Sequence, residues 1–197
     1  MLVAISGAQG CGKTTVINEL KKQNYDVIER KTSRSILDEW NVTLSQVNND
    51  RPLTQKFQDE ILKRKWNDEF PYNHENLGRL CFTERTYMDL ATYACVALGK
   101  DNEYSDWLNG YFKRCAACQQ SYALVFYMSG GHFKIEQDNV RGTNVIYGKM
   151  VDLLMRDLTK QTTLPSRLVV IDTPDLTSRI SLITCLANDL WTSRINS

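Results

Sequence analysis

The sequence lacks any long hydrophobic run. Its N-terminal apolar stretch, from Met1 to Ile5, is far too short for a membrane span or for the apolar segment of a signal peptide. We therefore expect an intracellular, cytoplasmic protein with no membrane partner. A chain of 197 residues is long enough to bury one core, so residues 1–197 are predicted to form a single domain.

An excess of charge of either sign is also absent. The 24 Lys and Arg residues nearly balance the 23 Asp and Glu residues, which leaves a net charge of +1. A nucleic-acid partner would therefore have to bind a local basic patch. The candidates are Arg30, Lys31 and Arg34, and the basic run at residues 63–65. Each could follow a DNA strand or form an ordinary solvated helix face.

Residues that bind transition metals are few. The two histidines, His74 and His132, lie far apart and lack acidic neighbours at ligand spacing. Among the six cysteines, Cys115 and Cys118 form a CxxC pair, but no second pair follows. Reduced cysteines are therefore favoured over a zinc site.

What the sequence does contain is an alternation of short apolar runs and longer segments with helical periodicity. The runs occupy residues 1–6, 25–29, 79–84, 123–128 and 167–172. Five buried strands with helical connections predict an α/β fold, in which helices cover both faces of a parallel sheet. Thr86 and Asp89 resemble a capping box that starts one of these helices.

The stretch "GAQGCGKTT" follows the first predicted strand and precedes a helix predicted over residues 14–23. Gly7, four residues, Gly12, Lys13 and Thr14 form the P-loop pattern, whose backbone N–H groups surround phosphates. Lys13 is expected to reach the β- and γ-phosphates of ATP, and the Thr14 hydroxyl to be a ligand of Mg²⁺. The residues predicted to bind the nucleotide are Gly7, Gly10, Cys11, Gly12, Lys13, Thr14 and Thr15.

Charged residues stand at the ends of three other predicted strands. Glu29 ends the second, Glu84 and Arg85 end the third, and Asp172 ends the fifth. Open parallel sheets bind ligands at this edge. A carboxylate there can accept the proton of a hydroxyl, and an arginine can bind phosphate. Arg34, one turn into a helix after Glu29, is expected to hold a substrate phosphate.

The stretches "GAQGCGKTT", "VIER", "ERTYMDLATYA" and "FYMSGGHFKIEQDNVRG" resemble the small P-loop kinases of nucleosides, nucleotides and ribosylnicotinamide. The resemblance is strongest to the AAA-like ATPase/kinase group common in bacteriophages, which would place the protein in the host cytoplasm. It extends from Met1 to about Arg179 and implies a three-layer fold with strand order 2-3-1-4-5. It also implies a small lid at about residues 129–144.

The resemblance also implies roles for single residues. Glu29 matches the base that accepts the proton of the substrate hydroxyl. Glu84 and Arg85 match a Glu-Arg-Ser motif, in which the glutamate orders the Mg²⁺ shell and the arginine binds substrate. Arg141 matches a lid arginine that closes over the phosphates. These lids usually contain several arginines, whereas the basic residues here are mainly Lys134 and Arg141.

The resemblance leaves the phosphate acceptor open. The group includes bacteriophage 5-hydroxymethyluracil DNA kinases, which phosphorylate a base inside DNA, and this activity is the main hypothesis. A kinase of free deoxynucleosides or deoxynucleoside monophosphates is the alternative. A regulatory protein that hydrolyses ATP is a second alternative, and a homodimer is left open.

Overall fold

A parallel five-stranded sheet lies at the centre of the molecule. The computed structural model describes residues 1–28, 33–74, 78–132 and 144–196. The strands are β1 Leu2–Ser6, β2 Asp26–Val27, β3 Cys81–Glu84, β4 Leu124–Met128 and β5 Leu168–Ile171. Their order across the sheet is β2-β3-β1-β4-β5, which confirms the predicted fold class and strand order.

Eight α-helices surround the sheet within the described ranges. They are α1 Lys13–Lys22, α2 Ser33–Trp40, α3 Leu44–Asn49, α4 Arg51–His74, α5 Tyr87–Leu98, α6 Ser105–Gln119, α7 Val145–Thr162 and α8 Leu176–Ile195. The predicted helix over residues 14–23 is thus found one residue earlier. Single 3₁₀ turns at Asn102–Tyr104 and Pro165–Arg167 precede α6 and β5.

Successive side chains of β1 alternate between the two faces of the sheet, and the core accordingly has two layers. Leu2 and Ala4 pack with buried residues of α5 and α6 on one face of the sheet. Val3 and Ile5 pack on the other face, with buried residues of α1 and α8. Side chains of successive strand residues point to opposite faces, so a fully apolar strand requires cover on both. The result is the predicted three-layer arrangement.

The strand register places the carboxyl ends of the strands, which precede the candidate site residues, at the same level of the sheet. Ile5 pairs with Glu84, Ser6 with Tyr127, and Met128 with Ile171. The carboxyl ends of β1, β3, β4 and β5 therefore lie at one edge, where open α/β sheets bind ligands.

The second strand is shorter than predicted. It contains two residues, Asp26 and Val27, although the backbone N–H of Ile28 still donates to the carbonyl of Phe82 at 2.9 Å. Glu29, Arg30 and Lys31 lie outside the described residues. Most of the lid predicted at residues 129–144, including Lys134 and Arg141, lies outside them as well.

Candidate active site

The P-loop connects β1 to α1 and is held tightly against β4. Gly7 has φ of +139°, and a Cβ built on it would lie 2.4 Å from the backbone oxygen of Met128. Only glycine fits this position. Gly12, the N-cap of α1, has φ of 91° in the left-handed region, which glycine adopts without steric cost. The loop therefore turns directly into the N-terminus of α1, where the helix dipole favours anions.

Lys13 lies inside this loop. Its ammonium donates to the carbonyl oxygens of Gly7 at 2.7 Å and Ala8 at 2.8 Å, and the residue is buried. The expected contact with phosphates would require Lys13 to exchange these carbonyls for phosphate oxygens. Among the other predicted nucleotide-binding residues, Cys11 is buried, Gly10 is half-buried, and Thr15 is exposed on the first turn of α1.

Thr14 and Glu84 meet at the mouth of the loop. The Thr14 hydroxyl donates to Glu84 Oε1 at 3.0 Å, although the two residues are 70 positions apart in sequence. The hydroxyl and the carboxylate supply oxygen donors. Mg²⁺ is commonly bound by one or two protein oxygens, with phosphate oxygens and water completing the shell. The donor set therefore fits the ion that the sequence predicted at these two residues.

Arg85 occupies a constrained turn directly after β3. Its φ is 69°, in the left-handed region that residues with a Cβ rarely adopt. Its guanidinium lies 5.7 Å from the centre of the Tyr93 ring. Burial lowers the pKa of Arg85, but the electrostatic influence of Tyr93, Asp89 and Glu84 outweighs it, so the net pKa is raised. Arg85 therefore keeps a permanent positive charge beside Glu84.

The start of α5 is joined to the start of the P-loop by a buried carboxylate. Thr86 and Asp89 form the predicted capping box. Asp89 Oδ1 additionally accepts a hydrogen bond of 2.5 Å from the hydroxyl of Ser6, the last residue of β1. Asp89 is fully buried. The sequence identified Asp89 as the partner of Thr86 in a capping box but gave no sign of this link to β1.

Arg179 of α8 is a second contact that the sequence did not predict. It is 2% exposed, donates from Nη1 to the carbonyl of Cys11 at 2.6 Å, and from Nε to the carbonyl of Thr173 at 2.5 Å. Burial lowers its pKa. Arg179 therefore ties the P-loop to the turn that follows β5.

His132 and Asp172 face each other across the β4 and β5 ends of the same edge. His132 Nε2 lies 3.0 Å from Asp172 Oδ1, and Asp172 is largely exposed. The sequence placed Asp172 at this edge but did not pair it with His132.

The basic run at residues 63–65 is neither an open basic patch nor a uniformly solvated helix face, which corrects both interpretations of it. Lys65 is fully buried and forms an ion pair with Glu69. Arg64 forms ion pairs with Glu39 and Glu60, each at 2.7 Å. Lys63 is 70% exposed.

Of the remaining predicted site residues, only Arg34 lies within the part of the chain that the structure describes. Arg34 is exposed on the first turn of α2, while Glu29 and Arg141 lie outside the described residues.

In the ranges that the structure covers, no group of three or more His, Cys, Asp or Glu side chains is placed to hold a metal ion. None of the described helices is both long enough and apolar enough to cross a bilayer.

Comparison with known proteins identifies the family. The model of a family described as "AAA domain" matches residues 2–179. The chain belongs to this AAA domain family. A search of curated protein sequences finds no match.

Solved structures share the architecture of this AAA domain. Deoxyadenosine kinase from M. mycoides with bound dATP is 18% identical, with a TM-score of 0.70, and the match covers 95% of this chain and 100% of that one. NadR protein in complex with NAD and AMP-PNP is 13% identical, with a TM-score of 0.69, and the match covers 95% of this chain and 49% of that one. At these identities the likeness establishes the fold alone.

Proposed function

We propose that the protein transfers the γ-phosphate of ATP to a hydroxyl group of a free deoxynucleoside or deoxynucleoside monophosphate. The observation that carries this proposal is the hydrogen bond between Thr14 and Glu84. It sets two oxygen donors for Mg²⁺ at the mouth of the P-loop, and Arg85 follows immediately. The similar solved proteins support this acceptor class, since one is a deoxyadenosine kinase solved with dATP and with dCTP.

The P-loop has the properties needed to bind the phosphates of ATP. In the proposed reaction, its backbone N–H groups bind phosphate oxygens, and Lys13 exchanges the carbonyls of Gly7 and Ala8 for the β- and γ-phosphates. Thr14 and Glu84 would hold Mg²⁺. When bound, this ion neutralises charge on the phosphate oxygens during transfer.

The acceptor side of the reaction is assigned to Glu29, Arg34, Arg85 and Arg141. The acceptor oxygen attacks the γ-phosphorus in line, its proton passes to the Glu29 carboxylate, and the bond to the departing ADP oxygen breaks. Arg34 and Arg85 bind the acceptor, and Arg141 neutralises charge on the phosphates. These assignments extend the sequence predictions.

A base inside DNA is the less supported acceptor. A DNA strand outside the pocket needs exposed cationic and aromatic side chains. Lys65 is buried and Arg64 is engaged by two carboxylates, so two of the six basic residues proposed for such a track are not available to a DNA strand. Transfer to a base in DNA is therefore the result that the experiment has to exclude.

The test uses radiolabelled ATP with three acceptors: free deoxynucleosides, deoxynucleoside monophosphates and duplex DNA containing 5-hydroxymethyluracil. We expect label in the small molecules and not in DNA. Lys13→Ala should reduce transfer by at least about 10³-fold, because the lysine charge stabilises the transferring phosphoryl group. Lys63→Ala changes an exposed lysine on α4 and should leave transfer unchanged. Glu29→Gln should abolish it.

Each other pattern of label contradicts the proposal in its own way. Label in DNA alone, lost steeply with added salt, would establish a DNA kinase. ATP hydrolysis without label in any acceptor would favour the regulatory protein. Full transfer by Lys13→Ala would show that the transfer does not depend on this P-loop and would contradict its assignment as the ATP site.

A further inference from the structure

A fully buried ion pair on α4 lies directly beneath the turn that carries Arg85. Lys65 and Glu69 are one helical turn apart, and both side chains are 0% exposed. Glu69 Oε1 accepts hydrogen bonds from Lys65 and, at 2.7 Å, from the Thr83 hydroxyl of β3. Its Oε2 accepts from the Tyr122 hydroxyl at 2.9 Å. The carboxylate is thus fixed to β3 and to the residues that precede β4.

Lys65 extends this network to the candidate active site. Its ammonium donates to the backbone carbonyl of Arg85 at 2.9 Å. The ammonium also lies 5.0 Å from the centre of the Tyr87 ring and 5.7 Å from that of Tyr122, within the range of a cation–π interaction. The Lys65 ammonium is therefore held by a carboxylate, a backbone carbonyl and two aromatic rings.

The contact with Arg85 involves a residue in a costly backbone conformation. Arg85 has φ of 69°, and such a conformation persists in a residue with a Cβ only when the surroundings enforce it. Its N–H donates to the carbonyl of Ile5 at 2.8 Å, and its own carbonyl accepts from Lys65. Both polar groups of the Arg85 backbone are therefore held, one from β1 and one from α4.

We propose that Lys65 and Glu69 are positioning residues that keep Arg85 in its left-handed conformation and thereby aim its guanidinium at the acceptor site. A buried ion pair is a poor source of stability, because neutral side chains of similar volume can replace it with little loss. Neutral apolar side chains would fill the same space, but they could not donate to the Arg85 carbonyl. The proposal rests on the proposed function in that Arg85 is taken to bind substrate.

The decisive variant removes both charges at once, so that neither is left buried alone. Lys65→Met/Glu69→Gln keeps similar side-chain volumes and eliminates the donor to the Arg85 carbonyl. The control is Arg64→Met/Glu60→Gln, which neutralises another ion pair of the same helix (Arg64 Nε to Glu60 Oε1, 2.7 Å). Both proteins are first checked for folding by circular dichroism and thermal unfolding.

The first readout does not depend on activity. The Nε–Hε NMR resonance of Arg85, assigned by its loss in Arg85→Lys, reports the position of the guanidinium near the Tyr93 ring. We expect it to move towards the position of a free arginine in Lys65→Met/Glu69→Gln and to stay in place in the control. An unchanged resonance in the folded variant would overturn the proposal, even if the wild-type protein phosphorylates none of the acceptors tested.

The second readout separates positioning from general stability. With the acceptor that the wild-type protein uses, Lys65→Met/Glu69→Gln should lower kcat by about ten- to a hundred-fold, the scale expected for a displaced catalytic group. The KM for ATP should change by less than about three-fold, because the P-loop is untouched. In an Arg85→Ala background the same double substitution should have almost no further effect. Equal losses in both backgrounds would contradict a role through Arg85.

A milder pair of variants covers the case in which the double variant does not fold. Tyr122→Phe removes one hydrogen bond to Glu69 without changing any charge. Tyr111→Phe removes a comparable buried hydrogen bond, from the Tyr111 hydroxyl to the Gln58 carbonyl at 3.1 Å. Tyr122→Phe should shift the Arg85 resonance and lower kcat, and Tyr111→Phe should do neither. Identical behaviour of the two variants would overturn the proposal.

Discussion

At the scale of single residues, the P-loop depends on the absence of a side chain at Gly7. A Cβ there would lie 2.4 Å from the Met128 oxygen and 2.8 Å from Cys11 Sγ. The first of these atoms belongs to the backbone of β4, which cannot move without disturbing the sheet. Gly7 therefore fixes how closely the phosphate-binding backbone approaches β4.

We expect Gly7→Ala to lose ATP binding and to unfold at a lower temperature, because the loop must move away from β4. The control is Gly110→Ala in α6, where the added Cβ would meet no atom within 4 Å apart from its chain neighbours and the backbone of its own helix. That change should raise the free energy of unfolding by about 0.5–1 kcal/mol, because alanine restricts the unfolded chain and favours helix. Thermal unfolding with and without ATP measures both effects. Wild-type ATP binding by Gly7→Ala would contradict this account of the loop.

At the scale of helices and strands, α8 is linked to the P-loop by the buried side chain of Arg179. Its two hydrogen bonds join the Cys11 carbonyl to the Thr173 carbonyl. The loop that would bind phosphates and the turn after β5 are thereby held at a fixed distance. We therefore expect a displacement of the P-loop to displace the turn after β5, and the reverse.

Arg179→Met should lower the free energy of unfolding by about 2–6 kcal/mol, since two carbonyl oxygens lose a charged donor and each loss costs about 1–3 kcal/mol. It should also weaken ATP binding. Arg194→Met changes an exposed arginine near the end of the same helix and should alter stability by less than about 1 kcal/mol. Urea unfolding compares the two variants. Equal losses in both would show that the Arg179 hydrogen bonds contribute nothing specific.

The strands, the P-loop and the helix cap at Thr86 could be predicted because each has a local sequence pattern. The strands were predicted because short, mostly apolar runs alternate with longer segments of helical periodicity, and the P-loop because its spacing is fixed by phosphate geometry. The Thr86 cap was found because its partner Asp89 lies three residues away. Local spacing thus predicted the fold and the Thr14 position.

The contacts that sequence analysis missed join residues far apart in the chain. Ser6 and Asp89 are 83 positions apart, and Cys11 and Arg179 are 168 apart. Helix and strand periodicity concerns residues a few positions apart, so it cannot predict such pairs. Lys65 was misjudged for another reason, since a Lys and a Glu spaced by four look the same on a solvated helix face as in a buried network.

At the scale of the whole molecule, burial of thiols and phenols links stability to alkaline pH. Burial raises the pKa of Cys81 to about 12, and it also raises the pKa values of Cys115, Tyr111 and Tyr127. These groups therefore stay protonated in the folded protein at a pH where they ionise in the unfolded chain. Their ordinary pKa values are 9.0 for the thiols and 10.0 for the phenols.

The free energy of unfolding should be independent of these groups below about pH 8.5 and should fall as the pH rises from about 9 towards 12. Below the ordinary pKa values both states are protonated, and above them only the unfolded state releases protons. Urea unfolding under reducing conditions tests this. Cys115→Ala should flatten the fall, whereas Cys185→Ala, at an exposed thiol, should not. A midpoint that stays constant to pH 11 would exclude this linkage.

The shortness of β2 has a consequence for behaviour at high concentration. An edge strand exposes unpaired N–H and C=O groups, which can recruit a strand of another molecule and begin aggregation. Here one edge strand has two residues, Asp26 and Val27, and exposed Asp26 lies 3.8 Å from Arg79. A second molecule would gain few backbone hydrogen bonds there and would have to accommodate a charged pair. The sheet is thereby protected from edge-to-edge self-association on this side.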